Sequence, residues 1–269
     1  LLMPASNMKI VTMAAAAETL GWDRTFTTTV LATGPIEQGV LKGDLVVVGS
    51  GDPSLGGRPA TGNTIFETWA AELRAKGISA IQGHVIGDDR AFEPQGLGAG
   101  WAWDYLSAGY ATPTGALDFN ENSVQVTIKP GISVGDIAAV EVRPGANGLI
   151  IDNTVRTVAN DATASIDIDR LGGSSVLRVN GTVGIGRAPV VRTVSVDSPT
   201  ALFVGVLRQT LSARGIAVSG DALGIRSLAT PPDLARAVPL ITYTSPTLAQ
   251  IGKLTLKVSQ NLYADTLLR

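Results

Sequence analysis

The sequence predicts a multi-domain α+β protein, and three observations carry that prediction. A chain of 269 residues is long enough for two or three domains. A helix–glycine–strand pattern occurs twice, as Leu73-x-x-Lys76-Gly77-Ile78 and Leu211-x-x-Arg214-Gly215-Ile216. Between the two lies a long run of short apolar or alternating segments separated by Gly and Asn. With 31 glycines, 14 prolines and 5 % aromatics, the composition implies many turns and a core of Val, Ile, Leu and Ala.

In chain order, residues 6–20 read as a helix opened after Pro4 and stopped at Gly21, with Met8, Val11, Ala15 and Leu20 as its buried positions. Thr25–Thr33 and Asp44–Val48 read as strands, and Gly49–Gly57 as a turn-rich loop in which Asp52 shapes the backbone. Thr64-Ile65-Phe66-Glu67 has the form of a capping box, opening a helix with Ile65, Phe66, Trp69 and Leu73 on its apolar face. Trp101 and Trp103 read as packing residues. Six strands follow, at Ser123–Lys129, Ala138–Arg143, Leu149–Asp152, Ala164–Asp169, Val176–Asn180 and Val190–Val196. Ser198-Pro199 opens a third helix, and Ser245-Pro246 caps a fourth that leads to Ser259.

Composition excludes several function classes. A net charge of −2 offers no electrostatic footprint for nucleic acid or an anionic membrane. The chain has no cysteine, so it has no disulfide frame and no thiolate metal site. A single histidine, His84, excludes a multi-histidine metal centre and reads as a surface or edge-strand residue. No cofactor is implied. No stretch of 18 apolar residues predicts a spanning helix, and no signal peptide is visible.

The chemistry lies at the two ends. Ser6 and Lys9 are three residues apart, hence neighbours on one helical face, and a lysine there could accept the serine's proton. Ser-x-x-Lys alone is a weak signal, expected about once by chance in a chain of this length. A second motif, Ser259-Gln260-Asn261, follows an apolar helical run. Ser-x-x-Lys followed by Ser-x-Asn is the order used by penicillin-interacting serine enzymes.

Pro4-Ala5-Ser6-Asn7-Met8-Lys9, Gly43-Asp44-Leu45, Gly51-Asp52-Pro53-Ser54-Leu55, Gly87-Asp88-Asp89, Gly100-Trp101 and Ser259-Gln260-Asn261-Leu262-Tyr263-Ala264 together resemble the DacB-type D-alanyl-D-alanine carboxypeptidase/endopeptidases, the class C low-molecular-mass penicillin-binding proteins. The resemblance runs the length of the chain, and the long spacer between the motifs separates it from the β-lactamases. It implies part of a penicillin-binding (β-lactamase/transpeptidase-like) catalytic domain, with an inserted α/β domain and a nested, mostly antiparallel β domain. The expected division is 1–23 and 236–269 for the catalytic part, 24–112 and 189–235 for the inserted α/β domain, and 113–188 for the nested one.

The same resemblance implies the roles. Ser6 would attack the carbonyl between two D-alanines, with Lys9 as general base. Ser259 would relay a proton to the leaving amine. Asn261 would orient Lys9 and hold the substrate amide. Asp88 would reach the cleft and bind the amino group of a peptide side chain. Peptidoglycan stem peptides are the implied substrates, β-lactams the implied inhibitors, and the periplasm or cell envelope the implied location. The family's third motif, Lys-Thr-Gly or Lys-Ser-Gly, does not follow Ser259; Lys129-Pro130-Gly131 is a turn. The chain therefore reads as truncated before that motif and poorly active by itself. An esterase or β-lactamase on the same scaffold, and a non-catalytic peptidoglycan-binding module, are the alternatives.

Overall fold

The computed structural model describes residues 3–58, 64–94, 96–160 and 164–269. A five-stranded sheet, in the order 222–224, 85–88, 45–48, 27–32 and 238–244, forms the centre. Its first three strands run parallel, and 27–32 lies antiparallel to both 45–48 and 238–244. Leu45, Val46 and Val47 are wholly buried, as expected for a strand covered on both faces.

Five α-helices occur among the described residues: α1 (Met8–Leu20), α2 (Ile65–Ala75), α3 (Pro199–Ala213), α4 (Leu248–Val258) and α5 (Asn261–Thr266). Helices α2 and α3 end alike. The Ile78 N–H donates to the Leu73 carbonyl at 3.0 Å, and the Ile216 N–H to the Leu211 carbonyl at 2.9 Å. Gly77 and Gly215 take φ of +82° and +81°, the left-handed conformation that closes a helix and favours glycine. The strands that follow, 80–81 and 217–218, pair in parallel. The two similar sequence patterns are thus two similar βα units packed side by side.

The largest core cluster among the described residues holds Phe66, Trp69, Phe119 and Phe203, and smaller clusters form around Met13 and Leu248, Val46 and Ile86, and Leu262 and Tyr263. Phe66 stacks on Phe119 at 4.4 Å between ring centres and meets Phe203 edge-on at 5.0 Å. Helix α3 approaches the central sheet at Gly87, where a Cβ would lie 2.6 Å from Thr200 Cγ2; the absent side chain permits the contact. The β-rich part comprises an antiparallel sheet of 190–195, 123–129 and 139–143, and a second sheet in which 176–184 pairs with 150–153, 156–158 and 165–169.

Four details differ from the sequence-based expectations. Strand 238–244, expected in the catalytic part, completes the central sheet on 27–32, and strand 190–195, expected in the inserted α/β domain, pairs with 123–129. Thr64 makes no side-chain cap, and the Glu67 side chain, which would supply the reciprocal half of the box, pairs with Arg214 at 2.5 Å instead. Thr247, not Ser245, caps α4, in a reciprocal box with Gln250, while the Ser245 hydroxyl accepts from the Phe26 N–H at 2.9 Å. Helix α1 buries Lys9, Met13 and Ala16, while Met8, Val11, Ala15 and Leu20 face outward, because α1 packs on one face only, against α4 and α5.

Candidate active site

Two chain ends 250 residues apart meet because α1 and α4 are tied at their bases. The Leu248 N–H donates to the Arg24 carbonyl at 2.7 Å, Ala249 to Trp22 at 3.0 Å and Ser245 to Phe26 at 2.9 Å. Met13 and Ala16 pack on Leu248, and Gly252 leaves room for the Met13 methyl. Lys9, one turn before Met13 on the same face, is thereby carried toward the far end of α4.

Ser6 lies in the single 3-10 turn Ala5–Asn7 that precedes α1. Ala5 holds φ +46°, a conformation that L-residues other than Asn, Asp and Gly rarely adopt. Such backbone clusters at functional sites. At the other end, α4 closes on Ser259, itself left-handed at φ +57° and ψ +44°. The Gln260 N–H returns to the Thr255 carbonyl at 3.0 Å, and the Gln260 side chain caps α5 by accepting from the Leu262 N–H at 3.0 Å. Ser259-Gln260-Asn261 is a tight corner between two helices, which aims the Ser259 hydroxyl at α1.

Lys9 Nζ lies 3.2 Å from Ser6 Oγ and 3.4 Å from Ser259 Oγ. The lysine is only 8 % exposed while Ser6 is open to solvent, so the amine is withdrawn and the candidate nucleophile is accessible. Burial lowers the Lys9 pKa, and the nearby Asp265 carboxylate pulls partly in the opposite direction. A lowered pKa raises the fraction of neutral amine, the form able to take a proton from serine. Burial also raises the Asp265 pKa, against a hydrogen bond from Trp101 and the charges of Lys9 and Arg269. Asp265 follows Asn261 by four residues on α5; that spacing was the one sequence signal for it, and motif reading passed it over.

The remaining expected residues are placed differently. Asn261 Nδ2 donates to the Tyr110 carbonyl at 2.9 Å, so the amide ties the corner to the segment running from Trp101 to Tyr110. Its contact is therefore with that segment, in place of the expected orientation of Lys9. Asp88 ends strand 85–88 and is 5 % exposed. Its Oδ1 accepts from Arg90 Nε at 2.8 Å and its Oδ2 from Arg90 Nη2 at 2.7 Å. Burial would raise this carboxyl, but the hydrogen bonds and charge of Arg90, helped by Arg226, outweigh it and leave the pKa lowered. Trp103 is 77 % exposed and does not pack in the core as expected. His84 Nδ1 accepts from the Asp221 N–H at 2.9 Å, a strand-end role.

A cleft of about 740 Å³ opens beside the corner, lined among others by Arg58, Tyr110, Glu121, Ser259, Gln260 and Asn261. Among the described residues no cluster of His, Cys, Asp or Glu is arranged to hold a metal ion, and no helix is long and apolar enough to cross a membrane.

Residues 1–269 match the D-Ala-D-Ala carboxypeptidase 3 (S13) peptidase family. The chain belongs to that family. It is 31 % identical over 275 residues to the D-alanyl-D-alanine carboxypeptidase of Actinomadura sp. (strain R39), an alignment covering all of this chain and 49 % of that protein. It is 25 % identical over 269 residues to D-alanyl-D-alanine carboxypeptidase DacB of Haemophilus influenzae, covering all of this chain and 53 % of that protein. The crystal structure of H. influenzae penicillin-binding protein 4 (DacB) shares the fold, with a TM-score of 0.79 at 24 % identity, over 99 % of this chain and 56 % of that one. The S13 chain described here thus spans about half the length of the curated relatives it matches.

Proposed function

We propose that this S13 chain carries the acylating centre of a serine D-Ala-D-Ala carboxypeptidase/endopeptidase acting on peptidoglycan stem peptides. The observation that carries the reading is the placement of Lys9 Nζ between Ser6 Oγ and Ser259 Oγ. The neutral Lys9 amine takes the Ser6 hydroxyl proton as Oγ bonds to the carbonyl carbon between the D-alanines. The proton passes through Ser259 to the departing amine as the C–N bond breaks, leaving an ester on Ser6 and free D-alanine. Water then hydrolyses the ester, with Lys9 again accepting the proton. A β-lactam would enter the same first step, since its ring amide is opened by the same attack. The substrate lies outside the cytoplasmic membrane, so the working protein belongs to the periplasm or cell envelope. On this reading the catalytic part comprises residues 1–23 and the chain from about 245, with an inserted body between them; the pairing of 238–244 with 27–32 is what favours 245 over 236 as the second boundary.

The test is acylation. In a version extended to the length of its relatives, incubation with a fluorescent penicillin, followed by intact-mass and peptide mapping, should place the adduct on Ser6, and Ser6→Ala should remove it; this chain alone should label weakly or not at all. An adduct elsewhere, or labelling that survives Ser6→Ala, would refute the assignment. A fast deacylation of the penicillin adduct would favour a β-lactamase over a carboxypeptidase.

For the amine of the peptide side chain, two carboxylates compete. Both Asp88 oxygens are already engaged by Arg90. Asp104 is exposed on the same Trp101–Tyr110 segment that binds Asn261, which makes it the freer carboxylate. A charge-assisted bond to an ammonium is worth roughly 1.5–3 kcal/mol once bound substrate partly desolvates it, or about tenfold or more in turnover, against at most about 1 kcal/mol for a pair left in solvent. Losing it should slow amine-bearing peptides and spare penicillins without an amine. Asp104→Asn showing that selectivity, with Asp88→Asn slowing both substrates alike, would transfer the role; the reverse pattern would return it to Asp88.

A further inference from the structure

The least ordinary backbone among the described residues is the turn behind the Ser259 corner. Asn120, Glu121 and Asn122 carry consecutive φ values of +57°, +53° and +50°. One left-handed asparagine is common in turns, but three such residues with a glutamate in the middle persist only where the surroundings fix them. They are fixed. The Asn120 N–H donates to the Leu55 carbonyl at 3.1 Å, and Asn120 Nδ2 to the Ser123 carbonyl at 2.9 Å. Asn122 Oδ1 accepts from the Phe119 N–H at 3.0 Å, while its Nδ2 donates to the Pro113 carbonyl at 2.8 Å and to Asp118 Oδ1 at 2.5 Å. Phe119 anchors the turn in the aromatic core.

This rigid turn presents Glu121 to the corner. Glu121 is 7 % exposed, and its Oε1 lies 3.5 Å from Arg58 Nε without a hydrogen bond of its own. Gln260 and Glu121 line the same cleft, and the Gln260 side chain lies near enough to the carboxylate to oppose the effect of its burial. Since Gln260 Oε1 already accepts from the Leu262 N–H, the group it turns toward Glu121 is its amide, a donor. A second strut runs from the same loop to α5, where Asp118 Oδ2 lies 3.4 Å from Thr266 Oγ1.

We propose that Glu121 is a positioning residue, acting through Gln260 to hold the Ser259–Asn261 corner at its distance from Lys9. The proposal rests on the reading of Ser259 and Asn261 as part of the reaction centre. Burial raises the Glu121 pKa while Gln260 and then Arg58 oppose it, in keeping with a carboxyl set against the corner rather than solvent. An amide in place of this carboxylate keeps a carbonyl acceptor for Gln260; a methyl group does not. That chemistry separates a positioning role from a merely structural one.

Amide hydrogen exchange, resolved to the peptide covering residues 258–264, tests the contact directly in this chain. Glu121→Ala should speed exchange there about tenfold or more while α3 exchanges as in the parent, and Glu121→Gln should restore the parent rate. Gln260→Glu, which keeps the acceptor for the Leu262 N–H but removes the donor to Glu121, should reproduce the effect, and combining it with Glu121→Ala should speed exchange no further than the single changes. In parallel, penicillin acylation of a version extended to the length of the relatives should slow about tenfold in Glu121→Ala and recover in Glu121→Gln. Unchanged exchange, or single effects that add, would overturn the proposal. Should Glu121→Ala fail to fold, Gln260→Glu, which keeps the acceptor for the Leu262 N–H, decides by the same readout. If the extended version is not acylated at Ser6, the functional reading falls, while the exchange result in this chain still decides whether Glu121 holds the corner.

Discussion

The two sides of the Ser259 corner are built on opposite principles. Behind it, α3 buries eight of its 15 residues, among them Leu202, Phe203, Val204 and Leu207, against the central sheet and aromatic core. In front of it, α1 buries three of its 13 residues, and one of the three is Lys9. Helix α1 is apolar nearly all round, yet it leaves Met8, Ile10 and Val11 between 51 % and 60 % exposed. A helix apolar on every side is normally buried on every side. Within this span, about half the length of its relatives, α3 holds the body together, whereas α1 packs on one face and places an amine beside two hydroxyls.

The sharpest way to break this comparison is to remove core volume on each side. Phe203→Ala should cost about 3–5 kcal/mol in unfolding free energy, because the ring is wholly buried. Val11→Ala should stay within about 0.5 kcal/mol, since its site is exposed and alanine favours helix. Denaturant unfolding of the two variants measures both. Comparable losses would mean that α1 stabilises the fold as α3 does.

The next effect is a pH dependence located behind the corner. Asp118 is fully buried, and burial pushes its pKa up to about 8 despite hydrogen bonds from Asn122 and Gly115. Its Oδ1 accepts from the Gly115 N–H at 2.9 Å and from Asn122. Thr266 already lies 2.8 Å from the Leu262 carbonyl and has one hydroxyl hydrogen to give, so a protonated Asp118 is the donor that completes the contact. The folded pKa exceeds the unfolded value of 3.8, so this group's stabilising contribution is full below about pH 4 and is lost as pH rises toward 8. Asp118→Asn keeps one donor and one acceptor without a charge. Thermal unfolding should therefore show the parent losing stability from pH 5 to 9 more steeply than the variant, which should be the more stable of the two at pH 9. Parallel curves would show that Asp118 is ionised in the fold.

A smaller contrast separates two helix starts. Thr247 caps α4 in a reciprocal box, with its N–H donating to Gln250 Oε1 at 3.0 Å, while Thr64 accepts no cap bond. Thr247→Ala should cost about 1 kcal/mol, and Thr64→Ala less than about 0.5 kcal/mol. Equal losses would deny α4 its dependence on a local cap on the thinly packed side.

How far the sequence could be read follows the same division. The βα units, the six β segments and the meeting of Ser6, Lys9 and Ser259 were legible, because periodicity, glycine stops and motif order are local signals. The burial of α1 was not, because 3.6-residue periodicity cannot choose a face when every face is apolar. The partners of Asp88 and Asn261 were also hidden. Arg90 is only two residues from Asp88, but nothing local says that its guanidinium folds back, and Tyr110 is 151 residues from Asn261. Strand 238–244 joined the central sheet through a pairing more than 200 residues long, which no window on the sequence contains.

The smallest expected effect concerns Asp265, on the thinly packed side, and leaves the fold intact. Asn in its place keeps a carbonyl that can accept the hydrogen bond from Trp101, so packing around α5 should survive. What disappears is the negative charge that opposes the burial of Lys9. With that charge gone, protonated Lys9 is less favoured and its pKa falls further, so the neutral amine is present at lower pH. In the extended version, the rising limb of the penicillin acylation rate against pH should therefore move to lower pH in Asp265→Asn, with the unfolding midpoint unchanged. A limb that moves to higher pH, or one that stays in place in a folded variant, would mean that the group governing acylation is not the amine between Ser6 and Ser259. The catalytic meaning of the contrast between α1 and the body would then be lost, even with its packing intact.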